Sequence, residues 1–235
     1  MKKKANLKSN LDAIYNHFIS KGKFGPAIED LLKLEEEHGN SDVISYYLGV
    51  CYANSNDYER AIHYLREIND SAELSLIQLI QTNMLLGYIY TELGEYSKAE
   101  KSFKKALEIN PESSMSFSAL GYVYYLSKKY DLAIFNFKKA IQFDPNNASA
   151  HNNLGYTYLE LGINLTEALT ECRKAVALNP KSAAYRDSLG WAYFNNENYR
   201  EAVKELELAL HYTTRNQEII YSHLEQAIKK RDRKK

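Results

Sequence analysis

A short motif, Leu-Gly-x-x-Tyr, recurs five times in this chain of 235 residues and constrains its fold more than any other feature. Successive glycines of the motif lie 38, 34, 34 and 35 residues apart. They are Gly49, Gly87, Gly121, Gly155 and Gly190. Glycine inside a helix costs about 1 kcal/mol relative to alanine, so five of them at one register indicate that a second helix approaches closely there.

The copy at 114–147 shows what each repeat encodes. Gly121 and Tyr124 mark a first amphipathic helix, and Ala133 and Phe137 mark a second one after a short turn. Neither helix can bury its apolar face alone, so every pair needs neighbouring copies of itself. The sequence therefore predicts an all-α solenoid of helix-turn-helix repeats.

This pattern resembles the tetratricopeptide repeat (TPR), a helix-turn-helix unit of about 34 residues. The resemblance covers nearly the whole chain and implies a right-handed superhelix, with the first helix of each pair on the concave wall. A basic N-terminal tail is expected over 1–7, and a C-terminal capping helix with a basic tail over 217–235. We place six TPR units between them, at about 8–41, 42–75, 80–113, 114–147, 148–182 and 183–216.

Some segments depart from the strict repeat. The first unit has Tyr15 where the other units have glycine. Four extra residues precede the third unit, where Asp70 and Glu73 favour a helix start and predict one long helix over 71–91. One extra residue falls in 162–165, where we expect it to lie in a turn.

The last helix, supported by the pattern at 216–230, is expected to have one apolar face and one polar face. The expected inward residues are Ile220, Leu224, Ala227 and Ile228. The expected outward residues are His223, Glu225, Gln226 and Lys229.

Charge is unevenly distributed, although the formal net charge is zero. The two chain ends are basic, and the body between them carries 20 basic and 29 acidic residues. An acidic body opposes phosphate binding, so nucleic acid is an unlikely partner by this criterion. The two cysteines lie in different units, and no stretch of 18 apolar residues or signal-peptide pattern is present. We therefore expect reduced thiols, no membrane insertion and a cytoplasmic location.

Catalytic and metal-binding motifs do not occur in the sequence. The six histidines are scattered without metal-ligand spacing, and no HExxH, GxSxG or glycine-rich phosphate loop is present. We expect neither an enzyme nor a cofactor.

Aromatic residues follow four of the five repeat glycines, at Tyr88, Tyr122, Tyr156 and Trp191, with Val50 in the remaining copy. The resemblance implies that this column, with residues one turn before and after it, faces a concave groove. Rigid aromatic rings are common binding anchors, although these rings could instead pack against one another. The peptide-binding candidates are Tyr88, Tyr122, Tyr125, Asn152, Tyr156 and Trp191.

These observations favour a non-enzymatic scaffold or adaptor that holds a partner's peptide segment in the groove. The chaperone-tail-binding members of the family place Asn directly after the glycine, which this chain does not do, so we expect apolar or aromatic segments rather than acidic tails. The alternative is an assembly chaperone or pilotin-like protein for an exported or membrane-associated subunit. Single-stranded RNA binding through the rings and self-association are further possibilities.

Overall fold

A computed structural model describes residues 2–39, 41–68, 71–213 and 217–233 of the chain. This part contains thirteen α-helices, a 3-10 turn at Ile19–Lys21 and no strand, which confirms the all-α prediction. The chain divides into two compact units, Met1–Pro111 and Glu112–Lys235. None of the helices in the described part is both long enough and apolar enough to cross a membrane.

The first unit holds six helices. Their bounds are α1 Lys2–His17, α2 Phe24–His38, α3 Asp42–Asn54, α4 Tyr58–Arg66, α5 Leu76–Glu92 and α6 Tyr96–Ile109.

The second unit holds seven helices. Their bounds are α7 Ser114–Leu126, α8 Tyr130–Phe143, α9 Ala148–Leu161, α10 Leu165–Leu178, α11 Ala183–Asn195, α12 Tyr199–Tyr212 and α13 Gln217–Arg233. The helices α7, α9 and α11 each begin after a side-chain cap, in which Ser113, Asn147 or Ser182 accepts a backbone N–H of the first turn. Such caps stabilise a helix start by about 1 kcal/mol.

The repeat glycines lie where the two helices of a pair touch. A Cβ atom at Gly121 would lie 2.7 Å from the Phe137 ring, and one at Gly155 would lie 2.7 Å from Cys172 Sγ and 2.9 Å from the Ala168 carbonyl oxygen. The predicted close approach is thus confirmed. The alanine columns opposite are fully buried, at Ala61, Ala99, Ala106, Ala133, Ala140, Ala168, Ala175, Ala202 and Ala209.

The turns within five helix pairs share one hydrogen bond, from a backbone N–H to the carbonyl oxygen of the motif tyrosine five residues earlier. In the α7–α8 turn Lys129 donates to Tyr124, and in the α9–α10 turn Ile163 donates to Tyr158. The helix after Ile163 begins one residue late, because Asn164 is inserted there with a left-handed φ of 49°. The extra residue therefore lies in a turn, as expected.

The expected long helix over 71–91 is wrong at its start. The helix α5 begins at Leu76, because Ser75 and Gln78 form a reciprocal capping box. The Ser71 hydroxyl accepts the N–H of Glu73 two residues on, which closes a local turn instead of a helix. Asp70, the expected cap, lies outside the described residues.

The N-terminal end of the chain differs from expectation, whereas the expected inward residues of the last helix are confirmed. The helix α1 begins at Lys2, inside the segment interpreted as a tail. At the other end α13 buries Ile220 and Ala227 against α12, with Leu224 and Ile228 partly buried beside them.

The expectation that His223 points outward is wrong. Its ring stacks on Trp191 and its Nδ1 lies 2.8 Å from Asp187 Oδ1. Trp191 and Asp187 lie on α11, and they precede His223 by 32 and 36 residues. The pattern of α13 alone therefore does not reveal these contacts. Residue 216, the expected first residue of this helix, lies outside the described residues.

Candidate functional site

The residues after the repeat glycines keep part of their surface exposed. Tyr88 is 45% exposed and Tyr122 is 43% exposed, and Tyr156 and Trp191 are partly buried. The residues one turn away were expected to share this exposed face, and most of them are buried because neighbouring helices cover them. These buried residues are Tyr46, Ala53, Met84, Thr91, Ser118, Asn152 and Leu159.

A cavity of about 440 Å³ opens in the second unit, where α7, α9, α11 and α13 meet. The cavity is lined by four of the six candidates that the sequence predicted. Residues of two successive repeats therefore meet there. The lining residues are Tyr122, Tyr125, Asn152, Asn153, Tyr156, Thr157, Ala184, Asp187, Ser188 and Ile219.

Three tyrosines form the aromatic part of this cavity. The rings of Tyr122 and Tyr125, one turn apart on α7, lie nearly parallel with centroids 6.3 Å apart. The ring of Tyr156 on α9 meets Tyr125 edge to face at 6.2 Å. The three rings thus pack against one another at distances typical of aromatic pairs, and all three also line the cavity.

Asn152 supplies a buried and unpaired hydrogen-bond acceptor at the wall of the cavity. The residue is 9% exposed, and its buried Oδ1 has no hydrogen-bond partner among the described residues. Its Nδ2 lies 3.5 Å from Asn153 Oδ1, which is a weak contact. A buried polar atom without a partner costs about 1–3 kcal/mol, so this acceptor is energetically suited to a donor from a ligand.

The electrostatic environment of the cavity is negative. Burial raises the pKa of Tyr156, and the charges of Glu160 and Asp187 raise it further. Burial and the charge of Glu160 likewise raise the pKa of Tyr125. No Lys, Arg or His is among the described residues that line the cavity.

Asp187 is held in place by the last helix. Its Oδ1 accepts a hydrogen bond from His223 Nδ1, and the His223 ring stacks on Trp191 with centroids 4.2 Å apart. Trp191 also stacks on Phe194 at 4.6 Å. Trp191 therefore packs against α13 and helps to hold it in place, and it does not line the cavity.

Tyr88, the remaining candidate, belongs to the first unit. Its ring meets Phe103 edge to face at 5.3 Å, and burial raises the pKa of its phenol. Nearly half of the side chain stays exposed, so a surface contact through this ring is sterically open.

The motif tyrosines, three residues after each repeat glycine, form a second and different set. Each carries a basic side chain of this chain over its ring, at 4.6–5.8 Å from the centroid. The pairs are Arg60 on Tyr52, Lys98 on Tyr90, Lys129 on Tyr124, Lys138 on Tyr158 and Arg173 on Tyr193. These cation–π contacts lie within a helix pair for Arg60 and Lys98 and between successive pairs for Lys138 and Arg173, and they make this set structural.

A buried histidine and glutamate form the other polar cluster of the second unit. His151 Nδ1 contacts a carboxylate oxygen of Glu171, and His151 Nε2 lies 2.9 Å from the Pro145 carbonyl oxygen. Lys174 donates to the other oxygen of Glu171. The groups are mutually satisfied, which indicates a structural role, and the described residues contain no group of three or more potential metal ligands.

Family models of the tetratricopeptide repeat match 44–72, 82–113, 148–182 and 183–212, and a TPR repeat model matches 121–162. The chain belongs to the tetratricopeptide-repeat family. The matched residues contain all five repeat glycines. No curated protein matches this TPR chain significantly.

Solved TPR structures share the fold at low sequence identity. MamA 41-end from Desulfovibrio magneticus RS-1 is 23% identical over 74% of this chain and 96% of that one, with a TM-score of 0.60. YrrB, described as a TPR protein with an unusual peptide-binding site, is 22% identical over 83% and 98%, with a TM-score of 0.58. The APC/C hetero-tetramer Cut9-Hcn1 reaches a TM-score of 0.72 at 17% identity, over 88% of this chain and 40% of that chain.

Several lining residues of the TPR cavity were not among the sequence candidates. Asn153 and Thr157 directly follow Asn152 and Tyr156, so the helical pattern could have found them. Ile219 comes from α13, and only the packing of that helix places it at the cavity.

Proposed function

We propose that this TPR protein is a non-enzymatic scaffold that binds a peptide segment of a partner protein in the cavity of its second unit. Tyr122 and Tyr156 are the proposed anchors, with Tyr125 beside them and Asn152 as a polar contact. TPR modules are in general protein-interaction modules, and YrrB is a TPR protein described as having a peptide-binding site. The two buried, unpaired cysteines suit a reducing compartment, and the proposal includes a cytoplasmic location.

The observation that carries the proposal is the combination of an exposed ring and a buried, unpaired acceptor at one cavity. Tyr122 is 43% exposed while Tyr124, two residues further along the same helix, is 5% exposed. Large exposed rings around a partly enclosed cavity are typical of binding hot spots. The unpaired Asn152 Oδ1 is the kind of group that a peptide N–H satisfies on binding.

Tyr88 and Trp191 are proposed as accessory residues only. Tyr88 offers an exposed ring in the first unit, and Trp191 supports Asp187 through the stacked His223. The alternative role as an assembly chaperone rests on no specific contact of the described residues, so the scaffold is the function that we propose.

The test compares proteins captured from the native cell's lysate by the wild-type chain and by the variant Tyr122→Ala/Tyr156→Ala. A control variant, Phe135→Ala/Tyr221→Ala, removes two exposed rings of the same unit that do not line the cavity. Mass spectrometry should identify a partner that the wild type and the control capture and the cavity variant loses.

Two results would contradict the proposal. Partners that all three chains retain equally would move binding away from the cavity. Loss of helical circular dichroism in Tyr122→Ala/Tyr156→Ala would show that these rings are part of the packing.

A further inference from the structure

We propose that the cavity of the second unit selects a positively charged side chain, an arginine or lysine of the partner's segment. This inference rests on the proposed function, since it names the chemistry of the segment that the cavity binds. It differs from the sequence-based expectation of an apolar or aromatic segment.

The charged groups at the cavity are carboxylates, which act only as acceptors. Asn152 presents an unpaired Oδ1, Asp187 presents a carboxylate, and the Glu160 carboxylate acts on Tyr125 and Tyr156. Lysine and arginine side chains carry only donors, so they match this set. An apolar side chain would leave this Oδ1 unpaired, as it already is in the described chain, and would therefore gain no hydrogen bond there.

The charges around the cavity point to the same class of ligand. An acidic segment would meet Glu160 and Asp187 without a basic residue among the described lining residues to compensate for its charge. A cation would instead be attracted by both carboxylates in a site that partly excludes water, where such attraction is stronger than in bulk water.

The tyrosine rings add a second attraction for a cation. A cation over an aromatic face gains roughly 0.5–2 kcal/mol, depending on how far it is desolvated. The chain already uses this contact in the same helix pairs, where Lys129 lies 5.6 Å from the Tyr124 centroid and Lys138 lies 5.8 Å from that of Tyr158. Tyr122, Tyr125 and Tyr156 line the cavity, so a partner's cation that enters it would lie close to their rings.

The test uses a displayed library of random dodecapeptides selected on the full-length chain. Peptides that bind the wild type and are lost with Tyr122→Ala/Tyr156→Ala should share one position occupied by Arg or Lys. Replacing that Arg by citrulline, or that Lys by norleucine, removes the charge with little change of shape. Affinity measured by fluorescence polarisation should then fall about tenfold or more.

A matched pair of protein variants tests the contribution of the protein's own carboxylates. Glu160→Gln neutralises an exposed carboxylate beside the cavity, and Glu207→Gln neutralises an exposed carboxylate on α12 that does not line it. Glu160→Gln should lower the affinity for the charged peptide about two- to fivefold, and it should leave the affinity for the citrulline peptide unchanged. The reason is that a screened charge acts only on a charged ligand. Glu207→Gln should change neither.

The outcomes separate this inference from the proposed function. Peptides whose binding depends on Tyr122 and Tyr156 but on no Arg or Lys of their own would overturn the charge selection. They would leave the scaffold proposal intact. A selection without any peptide that depends on these tyrosines would overturn both. Competition by a synthetic peptide of the chain's own basic residues 229–235 at equal affinity would identify a second copy as the occupant and overturn the assignment to a foreign partner.

Discussion

The two units use the same position of their first helices in opposite ways. Three residues before a repeat glycine, the first unit has Tyr46 and the second unit has Asn152. The Tyr46 hydroxyl donates to Gln81 Oε1 at 2.6 Å, so this polar group is satisfied inside the protein. Asn152 Oδ1 lines a cavity and has no partner among the described residues. The same repeat register can therefore either close a face or leave it open for a ligand.

The cavities of the two units show the same contrast in charge. The first unit has a cavity of the same size, about 440 Å³, between α1, α3 and the segment before α5. Its lining includes Lys8 together with Asp12 and Glu73, so the chain supplies both signs there. In the second unit the charged lining residue is Asp187, which accepts a hydrogen bond from His223, and no Lys or Arg is among the described lining residues.

The largest expected effect of a single substitution concerns the packing that both units share. Gly155→Ala should reduce the free energy of unfolding by about 2–3 kcal/mol, because the new Cβ would meet the Ala168 backbone oxygen, which cannot rotate away. Gly49→Ala in the first unit should cost less, about 1–2 kcal/mol, because the atoms nearest to its Cβ belong to the Leu65 side chain, which can move more easily than backbone. Urea titrations followed by circular dichroism measure both losses. A larger loss for Gly49→Ala would contradict this packing account.

The buried pair of the second unit should behave as a satisfied structural contact. Burial opposes the charge of Glu171, but hydrogen bonds from Lys174 and His151 outweigh it and keep the pKa of Glu171 below its usual value of 4.5. Glu171→Gln should cost about 1–3 kcal/mol at neutral pH, because hydrogen bonds to a charged group are lost.

This loss should depend on pH in a defined direction. A lowered pKa in the folded state stabilises the protein above pH 4.5, and this contribution disappears as the pH falls through the folded-state pKa. Urea titrations of both chains at several pH values should thus show the difference between wild type and Glu171→Gln narrowing below about pH 4.5. A difference that stays constant between pH 7 and pH 3 would rule out this role of the carboxylate.

Tyr46→Phe tests the closed position of the first unit. The change removes one hydroxyl and leaves Gln81 to be satisfied by water, so the free energy of unfolding should fall by about 1 kcal/mol. Peptide or partner binding in the second unit should not change. An unchanged stability would show that the hydrogen bond to Gln81 contributes nothing.

Asn152→Leu tests the open position and should give the smallest change in stability, with the opposite sign. Removing a buried acceptor without a partner should leave the free energy of unfolding unchanged or raise it by up to about 1 kcal/mol. Binding of the captured partner should nevertheless weaken, and fluorescence polarisation with a peptide of that partner measures it. A destabilised variant would mean that Oδ1 already has an internal role.

The sequence predicted the repeat framework and much of the cavity for physical reasons. Gly155 and Ala168 pack backbone against backbone, and this requirement leaves a visible pattern at every repeat. Tyr122, Tyr125, Asn152 and Tyr156 lie at helical spacing on two adjacent repeats, so their meeting follows from the register.

Other features depend on contacts that no local pattern encodes. The start of α5 was mispredicted because Ser75 with Gln78 forms a capping box that the expectation at Asp70 and Glu73 overlooked. The contact of His223 with Trp191 and Asp187 depends on how α13 seats against α11.

The central claim is that two tyrosine columns on the same helices have different functions, one in binding and one in packing. The most direct measurement is the free energy of unfolding of Tyr122→Ala/Tyr156→Ala beside that of Tyr124→Ala/Tyr158→Ala. The claim predicts a change within about 1 kcal/mol for the first variant, and a loss of at least about 3 kcal/mol for the second, whose rings are 5% and 1% exposed. Equal losses in the two variants would contradict it.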